Sequence, residues 1–218
     1  MSVEIALRRA RVRHGPLEAL HGLDLLVPRA TVTVLTGRNG AGRTTTLCAL
    51  AGTVPLASGR VLWRGADVTG LHAHARARRG LCFVPDLRGV YPSLTVAENL
   101  GLAPGDPAAA LAAYPELGPL LARPAGTLSG GERRMLEVSR ALLTPATVVL
   151  VDEPALGMSP AVAARTYRLL AALAREGGAA VVLAEQRLPA GLPDGTLVHE
   201  LRRGSLVSSR EAAELTGR

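Results

Sequence analysis

Lysine is absent from all 218 positions of this sequence, so every basic side chain is an arginine. Aromatic residues make up only 2% of the chain, and isoleucine occurs once. This composition, rich in alanine, glycine, proline and arginine, indicates a coding bias toward G+C-rich codons that acts on the whole chain. The net charge of +7 is therefore weak support for a nucleic-acid surface. The arginines also lack the interleaved aromatic side chains that stack on bases, and we expect no nucleic-acid partner.

Long apolar segments are also missing, because no uncharged run approaches the roughly 18 residues that a membrane-spanning helix needs. Residues 1–13 carry an acidic side chain at Glu4 and lack the apolar core of a secretory signal. We therefore expect a soluble, cytoplasmic chain that reaches a membrane only through a partner. The two cysteines, Cys48 and Cys82, lack metal-ligand spacing, and we expect buried, reduced thiols.

The sequence predicts one α/β domain over residues 1–218. The uniformly apolar run VVLV at 148–151 is typical of a parallel strand that is buried on both faces. Between 93 and 127 the pattern changes to short helices broken by proline and glycine, and Thr95 with Glu98 forms a capping box. We interpret 93–127, with the start of the following helix, as a helical lobe inserted into the core. The predicted strands span residues 3–10, 23–27, 31–35, 60–63, 81–84, 148–151, 180–184 and 197–201.

A glycine-rich loop follows the third predicted strand and precedes a predicted helix at 43–51. It reads GRNGAGRTT over residues 37–45 and matches the phosphate-loop pattern G-x-x-x-x-G-K-[S/T] at both glycines and at Thr44. Glycines allow consecutive N–H groups to point at phosphate oxygens, and the helix dipole adds to the attraction. The residues predicted to bind nucleotide here are Gly37, Asn39, Gly40, Ala41, Gly42, Arg43, Thr44 and Thr45.

Arg43 stands where the phosphate-loop pattern has lysine. Its guanidinium keeps the positive charge but is longer and planar, so it does not reproduce the compact ammonium. The sequence is consistent with two interpretations. Either the site has adapted to arginine while every lysine was lost from the chain, or the substitution impairs hydrolysis.

Two further motifs complete a nucleotide site. An apolar strand ends in Asp152 and Glu153, about 110 residues after the loop, where an acid that holds magnesium and an acid that polarises water are expected. The string LSGGE at 128–132 predicts a helix that is capped by Ser129 and Glu132 and whose bare Gly130 and Gly131 let a phosphate approach.

Together these motifs resemble the ATPase subunits of ABC transporters, over nearly the whole chain. The resemblance is greatest to the branched-chain amino acid importer ATPases of the LivF type. It is carried by VPDLRGVYPSLTVAENL (84–100), AGTLSGGE (125–132), DEPALGMSP (152–160) and AEQ (184–186). It implies a P-loop NTPase core with an antiparallel β subdomain and an inserted α-helical subdomain. It also implies head-to-tail pairing, in which each nucleotide lies between one chain's phosphate loop and the other chain's LSGGE helix.

The resemblance assigns roles to residues outside the loop and also shows departures. Asp152 and Thr44 would hold Mg²⁺, Glu153 would polarise the attacking water, and Ser129, Gly130 and Gly131 would contact nucleotide. Asp86 replaces the usual glutamine or glutamate. Gln186 replaces the switch histidine, as in the branched-chain group, and His14 replaces the aromatic residue that stacks on adenine.

The function implied is hydrolysis of ATP coupled to import of a small solute. The implied partners are permease subunits, a sister ATP-binding subunit in a homodimer or heterodimer, and indirectly a solute-binding protein, at the inner face of the membrane. An alternative is a degenerate subunit that binds nucleotide and supports a competent sister. A soluble ABC protein of translation or DNA repair is a third hypothesis, but such chains carry two nucleotide domains and this one has a single set of motifs.

An arginine-rich segment near residue 75 has a plainer interpretation. We expect Arg76, Arg78 and Arg79 to form a solvated helix face rather than a nucleic-acid patch. His72 and His74 lie in the same segment without a matching acid or cysteine cluster, so we do not expect a metal site there.

Overall fold

The computed structural model describes residues 2–86 and 89–215. Leu87 and Arg88, which belong to the motif string at 84–100, lie outside the described residues. The strands are β1 (Val3–His14), β2 (Leu17–Pro28), β3 (Val32–Thr36), β4 (Ser58–Trp63), β5 (Ala66–Asp67), β6 (Leu81–Val84), β7 (Val148–Asp152), β8 (Ala180–Glu185), β9 (Leu197–Arg202) and β10 (Ser205–Glu211). The α-helices are α1 (Arg43–Ala51), α2 (Ala73–Arg78), α3 (Val96–Gly101), α4 (Pro107–Ala113), α5 (Gly130–Leu142), α6 (Pro160–Arg175) and α7 (Ala212–Leu215).

The strands form two sheets. One is antiparallel, with the order β2-β1-β4-β5, and its main unit is the hairpin of β1 and β2. The other has the order β10-β9-β3-β8-β7-β6, in which every neighbouring pair is parallel except β10 with β9. Short helices and two 3-10 turns (Pro115–Leu120 and Ala125–Thr127) occupy the chain between β6 and β7. The predicted fold class, an α/β core with an antiparallel sheet and a helical part, is confirmed.

Several elements differ from those predicted. β1 and β2 are 12 residues each, longer than predicted. Buried and exposed residues alternate over 10–13 of β1 and 23–27 of β2, as in a sheet with one face in solvent, whereas residues 4–7 of β1 are all buried. Helix α6 and strand β10 were not among the predicted elements. The runs in β7 and β8 are buried at every position, as the apolar pattern VVLV indicated.

Two apolar clusters hold the layers together. One joins the antiparallel sheet to α1 and one face of the parallel sheet, and includes Ile5, Leu47 and Leu150. The other joins the opposite face to α3, α5 and α6, and includes Leu100 and Leu136. The strands that carry the predicted site residues are therefore fixed from both faces.

The segment near residue 75 corrects one expectation. Arg76 is buried, with 2% exposure, and donates hydrogen bonds to five backbone carbonyls, those of Ala49, Leu50, Val68, Thr69 and Leu71. It thereby satisfies the last carbonyls of α1, so it is a structural residue and not part of a solvated face.

Two other expectations concern cysteines and membranes. Cys48 and Cys82 are both free, but they are partly rather than fully buried. Burial raises the pKa of the Cys82 thiol to about 11. In the part of the chain that the structure describes, no helix combines the length and apolarity that crossing a membrane requires.

Candidate functional site

Three parallel strands end at one edge of the larger sheet and deliver the predicted site residues there. β3 ends at Thr36, directly before the glycine-rich loop, and in the sheet register Thr36 lies beside Glu185 of β8. Asp152, the last residue of β7, lies beside Ala184. Carboxyl ends of parallel strands are where open α/β sheets bind ligands, so the loop, Asp152–Glu153 and Gln186 converge for a topological reason.

The loop conformation depends on glycine. Gly37 and Gly42 have φ of 149° and 102°, and a Cβ on Gly37 would lie 2.4 Å from the carbonyl oxygen of Leu201. α1 begins immediately after Gly42, whose carbonyl accepts the amide of Thr46 at 2.8 Å. The unpaired amides of the first turn of α1 and the adjoining loop form the kind of concave surface that binds phosphate.

A cavity of about 520 Å³ lies above this loop. Most of the predicted site residues line it, although Gly37 lines a neighbouring groove. Leu156 and Ala19 are lining residues that were not predicted. The predicted residues in its wall are His14, Asn39, Gly40, Ala41, Gly42, Arg43, Thr44, Thr45, Asp86, Glu153 and Gln186.

Arg43 points into this cavity and forms an ion pair with Glu153. Its Nη1 lies 2.7 Å from Glu153 Oε1, and the two side chains are only 7% and 16% exposed. Nη2 donates to Asn39 Oδ1 at 3.4 Å. The cation of the loop is thus neutralised by the acid that was predicted to polarise water.

Asp152 lies beneath the cavity and is 1% exposed. Burial raises the pKa of its carboxyl, a hydrogen bond from the Thr44 hydroxyl opposes that shift, and the charges of Glu153 and Asp86 add to it. Asp152 Oδ2 and Asp86 Oδ1 are buried without a hydrogen-bond partner. Such orphaned carboxylate oxygens beside a hydroxyl are the hard oxygen donors that Mg²⁺ prefers, so these residues fit the predicted metal.

His14 and Gln186 stand at the rim. His14 Nε2 lies 3.4 Å from the Thr45 hydroxyl, and its ring is exposed on the side of the loop that faces the antiparallel sheet. Gln186 is exposed at the end of β8. Both side chains are therefore free to meet a ligand that enters from solvent.

The LSGGE residues lie apart from this cavity. Ser129 caps α5, where its hydroxyl accepts the amide of Glu132 at 3.3 Å and the Glu132 carboxylate accepts the amide of Ser129 at 2.8 Å. Gly130 is exposed and Gly131 is partly buried. A Cβ on Gly131 would lie 2.5 Å from the carbonyl oxygen of Gly157, so this glycine is needed for close packing. Ser129, Gly130 and Gly131 are not in the wall of the phosphate-loop cavity as the described residues define it.

Sequence reasoning missed two buried groups behind the site. Arg134 is 3% exposed and donates to the backbone carbonyls of Pro85, Asp152 and Glu153 and to the carboxylate of Glu137. The sequence does contain a pattern that indicates this buried pair. Arg134 and Glu137 are spaced i, i+3 within the apolar stripe of a helix, where unpaired charges are not tolerated.

The other missed group is Glu185, which accepts a hydrogen bond from the Tyr167 hydroxyl. Burial raises the pKa of Glu185 to about 7; the bond from Tyr167 opposes that shift, and the neighbouring Glu153 carboxylate adds to it. A carboxyl that is 9% exposed and lies next to Glu153 therefore holds a proton near neutral pH. No sequence pattern singles out Glu185, since strands often end in acids.

A strand, glycine loop and helix beside a cavity, with two acids at the end of another strand of the same sheet, define a phosphate-loop nucleotide-binding protein. The ABC transporter family profile matches residues 20–156. The chain is 32% identical over 211 residues to the high-affinity branched-chain amino acid transport ATP-binding protein BraG of Pseudomonas aeruginosa, covering 93% of this chain and 90% of that protein. This chain belongs to the ATP-binding subunits of the ABC transporter family.

Other relatives show the same family. The probable branched-chain amino acid transport ATP-binding protein LivF of Archaeoglobus fulgidus is 32% identical over 220 residues, covering 96% of this chain and 93% of that protein. The lipopolysaccharide export system ATP-binding protein LptB of Escherichia coli K12 is 29% identical over 204 residues, covering 88% and 84%. The predicted resemblance to the branched-chain amino acid transport ATPases is confirmed.

Solved structures agree with the fold. A nucleotide-free ATP-binding cassette from an ABC transporter superposes with a TM-score of 0.82 at 23% identity, covering 98% of this chain and 94% of that one. A dimeric bacterial ABC transporter cassette gives 0.83 at 20% identity, covering 95% and 98%. At these identities the likeness establishes the fold.

Proposed function

We propose that this chain binds Mg-ATP at the phosphate-loop cavity and couples ATP binding and hydrolysis to the import of branched-chain amino acids or similar small solutes. The observation that carries the proposal is the convergence of loop residues 39–45, Asp86, Glu153 and Gln186 on one cavity of about 520 Å³. The BraG and LivF relatives, whose names specify branched-chain amino acid transport, support the solute class.

The loop and the first turn of α1 bind the phosphates through backbone N–H groups, and Arg43 adds positive charge. His14 stacks on the base with less area than a larger aromatic ring, which makes base selectivity loose. Glu153 orients and polarises the attacking water, while Gln186 donates a hydrogen bond to the γ-phosphate or to that water. Gln186 cannot carry a proton, so its contribution is positional.

Thr44 and Asp152 would hold the magnesium ion, and Asp86 lies close enough to add to the negative field. The ion supplies positive charge at the β- and γ-phosphate oxygens when it is bound. The raised pKa of the buried Asp152 carboxyl means that the protein alone does not fully stabilise its ionised form. A bound cation would favour that form and compensate for its desolvation.

A second candidate function is supported by the Arg43–Glu153 ion pair. If the pair persists with ATP bound, Glu153 is not free to polarise water, and the chain acts as a weakly hydrolysing subunit. It would still lend its LSGGE helix to the ATP site that contains a sister subunit's phosphate loop. This role needs Ser129, Gly130 and Gly131 intact, and Ser129 and Gly130 are exposed while Gly131 is partly buried.

The partners follow from the same proposal. Permease subunits would hold the chain at the inner face of the cell membrane, a sister ATP-binding subunit would complete both nucleotide sites, and a solute-binding protein would act through the permease. The relative solved as a dimeric cassette supports pairing of two such chains.

Turnover and binding by the purified full chain test the proposal. We expect Mg-ATP to bind, with slow release of phosphate. Glu153→Gln should abolish release without weakening binding, whereas turnover that survives in Glu153→Gln would refute the assigned site. Binding without turnover in the wild-type chain would select the second candidate function.

A further inference from the structure

Arg134 lies in α5, the helix that LSGGE opens, and its guanidinium contacts the backbone of Asp152 and Glu153. The side chain is 4% exposed and forms an ion pair with Glu137, which is 2% exposed, at 2.6 Å between Nη1 and Oε2. Burying a guanidinium requires removing its water shell, and the attraction to its partners often does no more than offset that desolvation cost. Stability alone therefore does not explain why Arg134 is buried here.

The other acceptors of Arg134 are backbone carbonyls at the site. Nε donates to the carbonyl oxygen of Glu153 at 3.1 Å, Nη1 to that of Pro85 at 2.9 Å, and Nη2 to that of Asp152. One planar group therefore joins α5 to the residues that carry both predicted carboxylates and to the residue before Asp86. Arginine suits this task because its donors lie in a fixed plane.

The backbone at Glu153 is strained, so the hydrogen bonds from Arg134 help to hold the residue that is assigned to the attacking water. Glu153 has a φ of 48°, in the left-handed region that non-glycine residues avoid. Such a conformation costs on the order of 1 kcal/mol or more and persists only where its surroundings impose it. The two carbonyl bonds from Arg134, with the bond from the Glu153 amide to the carbonyl of Ala184 at 2.9 Å, impose it here.

The Glu137 carboxylate extends the same arrangement. Its Oε1 accepts the amide of Gly89 at 3.1 Å, while its Oε2 accepts Arg134. The pair thus contacts the chain at both Pro85 and Gly89. Asp86, which lines the cavity, is adjacent to one of these contacts.

We propose that Arg134 is a positioning residue for ATP hydrolysis, which holds the main chain of Asp152 and Glu153 and the Pro85 carbonyl from the LSGGE helix of the same chain. This inference rests on the proposed function, since it assigns Glu153 to the attacking water. It has a consequence for the dimer: a partner-bound nucleotide that displaces α5 also displaces the backbone of this chain's own Glu153. Arg134 would then couple the two ATP sites.

The test compares Arg134→Lys with Arg76→Lys in the full chain. Lysine at 134 can still pair with Glu137 but cannot replace the planar set of donors that reaches three backbone carbonyls. We expect kcat per folded molecule to fall by about 10-fold or more, with KM for ATP within about two-fold, because misplacing a reacting group costs rate and not ground-state binding. Arg76 is the matched control, because it is equally buried and also donates to backbone carbonyls, yet it lies away from the cavity. Arg76→Lys should lower Tm and leave kcat within about two-fold.

Two further measurements separate positioning from general stability. Amide hydrogen exchange over 152–156 should become faster in Arg134→Lys and stay unchanged in Arg76→Lys. If Arg134→Lys does not fold, the double variant Arg134→Gln with Glu137→Gln leaves no unpaired buried charge, and it should show the same loss of kcat.

The outcomes divide cleanly. An unchanged kcat in Arg134→Lys, or equal losses in Arg134→Lys and Arg76→Lys, would overturn the positioning role and leave the proposed function standing. A wild-type chain that binds ATP but never releases phosphate would refute hydrolysis by this chain's own site, and the positioning role with it.

Discussion

Arg43 and Glu153 pair at 2.7 Å across the cavity in which ATP phosphates are expected to bind. Both side chains are largely withdrawn from solvent, so the attraction between them is weakly screened. The γ-phosphate would compete with Glu153 for the guanidinium, and water would compete with the guanidinium for Glu153. The ion pair thus connects the altered loop residue to the hydrolytic acid and makes the effects of substituting either one predictable.

Arg43→Lys should raise the turnover of the isolated chain by about 10-fold or more, because a correctly aimed donor at the developing charge is worth roughly 3 kcal/mol, or about 100-fold when it is fully restored. The shorter ammonium would also release Glu153. Steady-state phosphate release measures the effect, with Arg38→Lys, an exposed substitution in the same loop, as control. A rate that stays the same or falls would mean that the site has adapted to arginine.

Glu153→Gln should remove the residual hydrolysis and leave the Kd for Mg-ATP equal or lower. The amide cannot polarise water as a carboxylate does, and it no longer competes with phosphate for Arg43. Calorimetric titration and phosphate release on the same sample check both effects, with the exposed Glu176→Gln as control. If binding and turnover fall together, Glu153 has a structural role.

Much of the fold was predictable from patterns that are local in sequence. The glycine loop at 37–45, the apolar run of β7 and the caps at Thr95 and Ser129 each carry their own physical reason. Each lies where the pattern placed it. β10 was not predicted, because an exposed strand at a sheet edge lacks a clear apolar alternation.

The arrangement behind the site could not be predicted, because long arginine side chains choose their partners in three dimensions. Arg76 reaches backbone carbonyls of α1 that lie 26 and 27 residues away, and Arg43 reaches Glu153 at a separation of 110 residues. In a chain whose 25 basic residues are all arginine, the sequence does not distinguish a solvated arginine from a buried one.

Glu185→Gln should stabilise the protein at pH 8 and change its stability little at pH 4.5. Burial raises the pKa of Glu185 from 4.5 to about 7 in the fold, with Tyr167, Glu153 and Arg43 as its titratable or charged neighbours. Between pH 4.5 and 7 the unfolded chain ionises this carboxyl while the folded chain keeps it protonated, so its contribution to stability decreases as pH rises. Above pH 7 the loss reaches on the order of 3 kcal/mol, and glutamine avoids it.

The measurement for Glu185 is the difference in Tm between Glu185→Gln and wild type across this pH range. Glu200→Gln, on strand β9 of the same sheet and exposed, serves as control. A difference that is constant with pH, or that shrinks as pH rises, would contradict a raised pKa for Glu185.

The last prediction concerns the assembled transporter, in which we expect two unequal ATP sites. One would combine this chain's loop, with Arg43, and the sister's LSGGE helix. The other would combine the sister's loop with Ser129, Gly130 and Gly131 of this chain. If the sister has lysine in its loop, the impairment at Arg43 reaches only the first site, and the second continues to drive transport.

Ser129→Arg should therefore remove most of the ATPase activity of the complex, while Thr44→Ala should remove rather little. The arginine places bulk and charge where the γ-phosphate of the sister's nucleotide would meet the cap of α5, whereas Thr44→Ala removes a magnesium ligand from a site that is already weak. Thr95→Arg is the control, because Thr95 caps α3 with a similar box in which Glu98 takes the place of Glu132. Thr95→Arg therefore reproduces the loss of a helix cap while the Ser129 cap of α5 stays intact. The measurement is phosphate release by the three variant complexes. A larger loss of ATPase activity with Thr44→Ala than with Ser129→Arg would show that the site with this chain's own phosphate loop is the one that hydrolyses ATP.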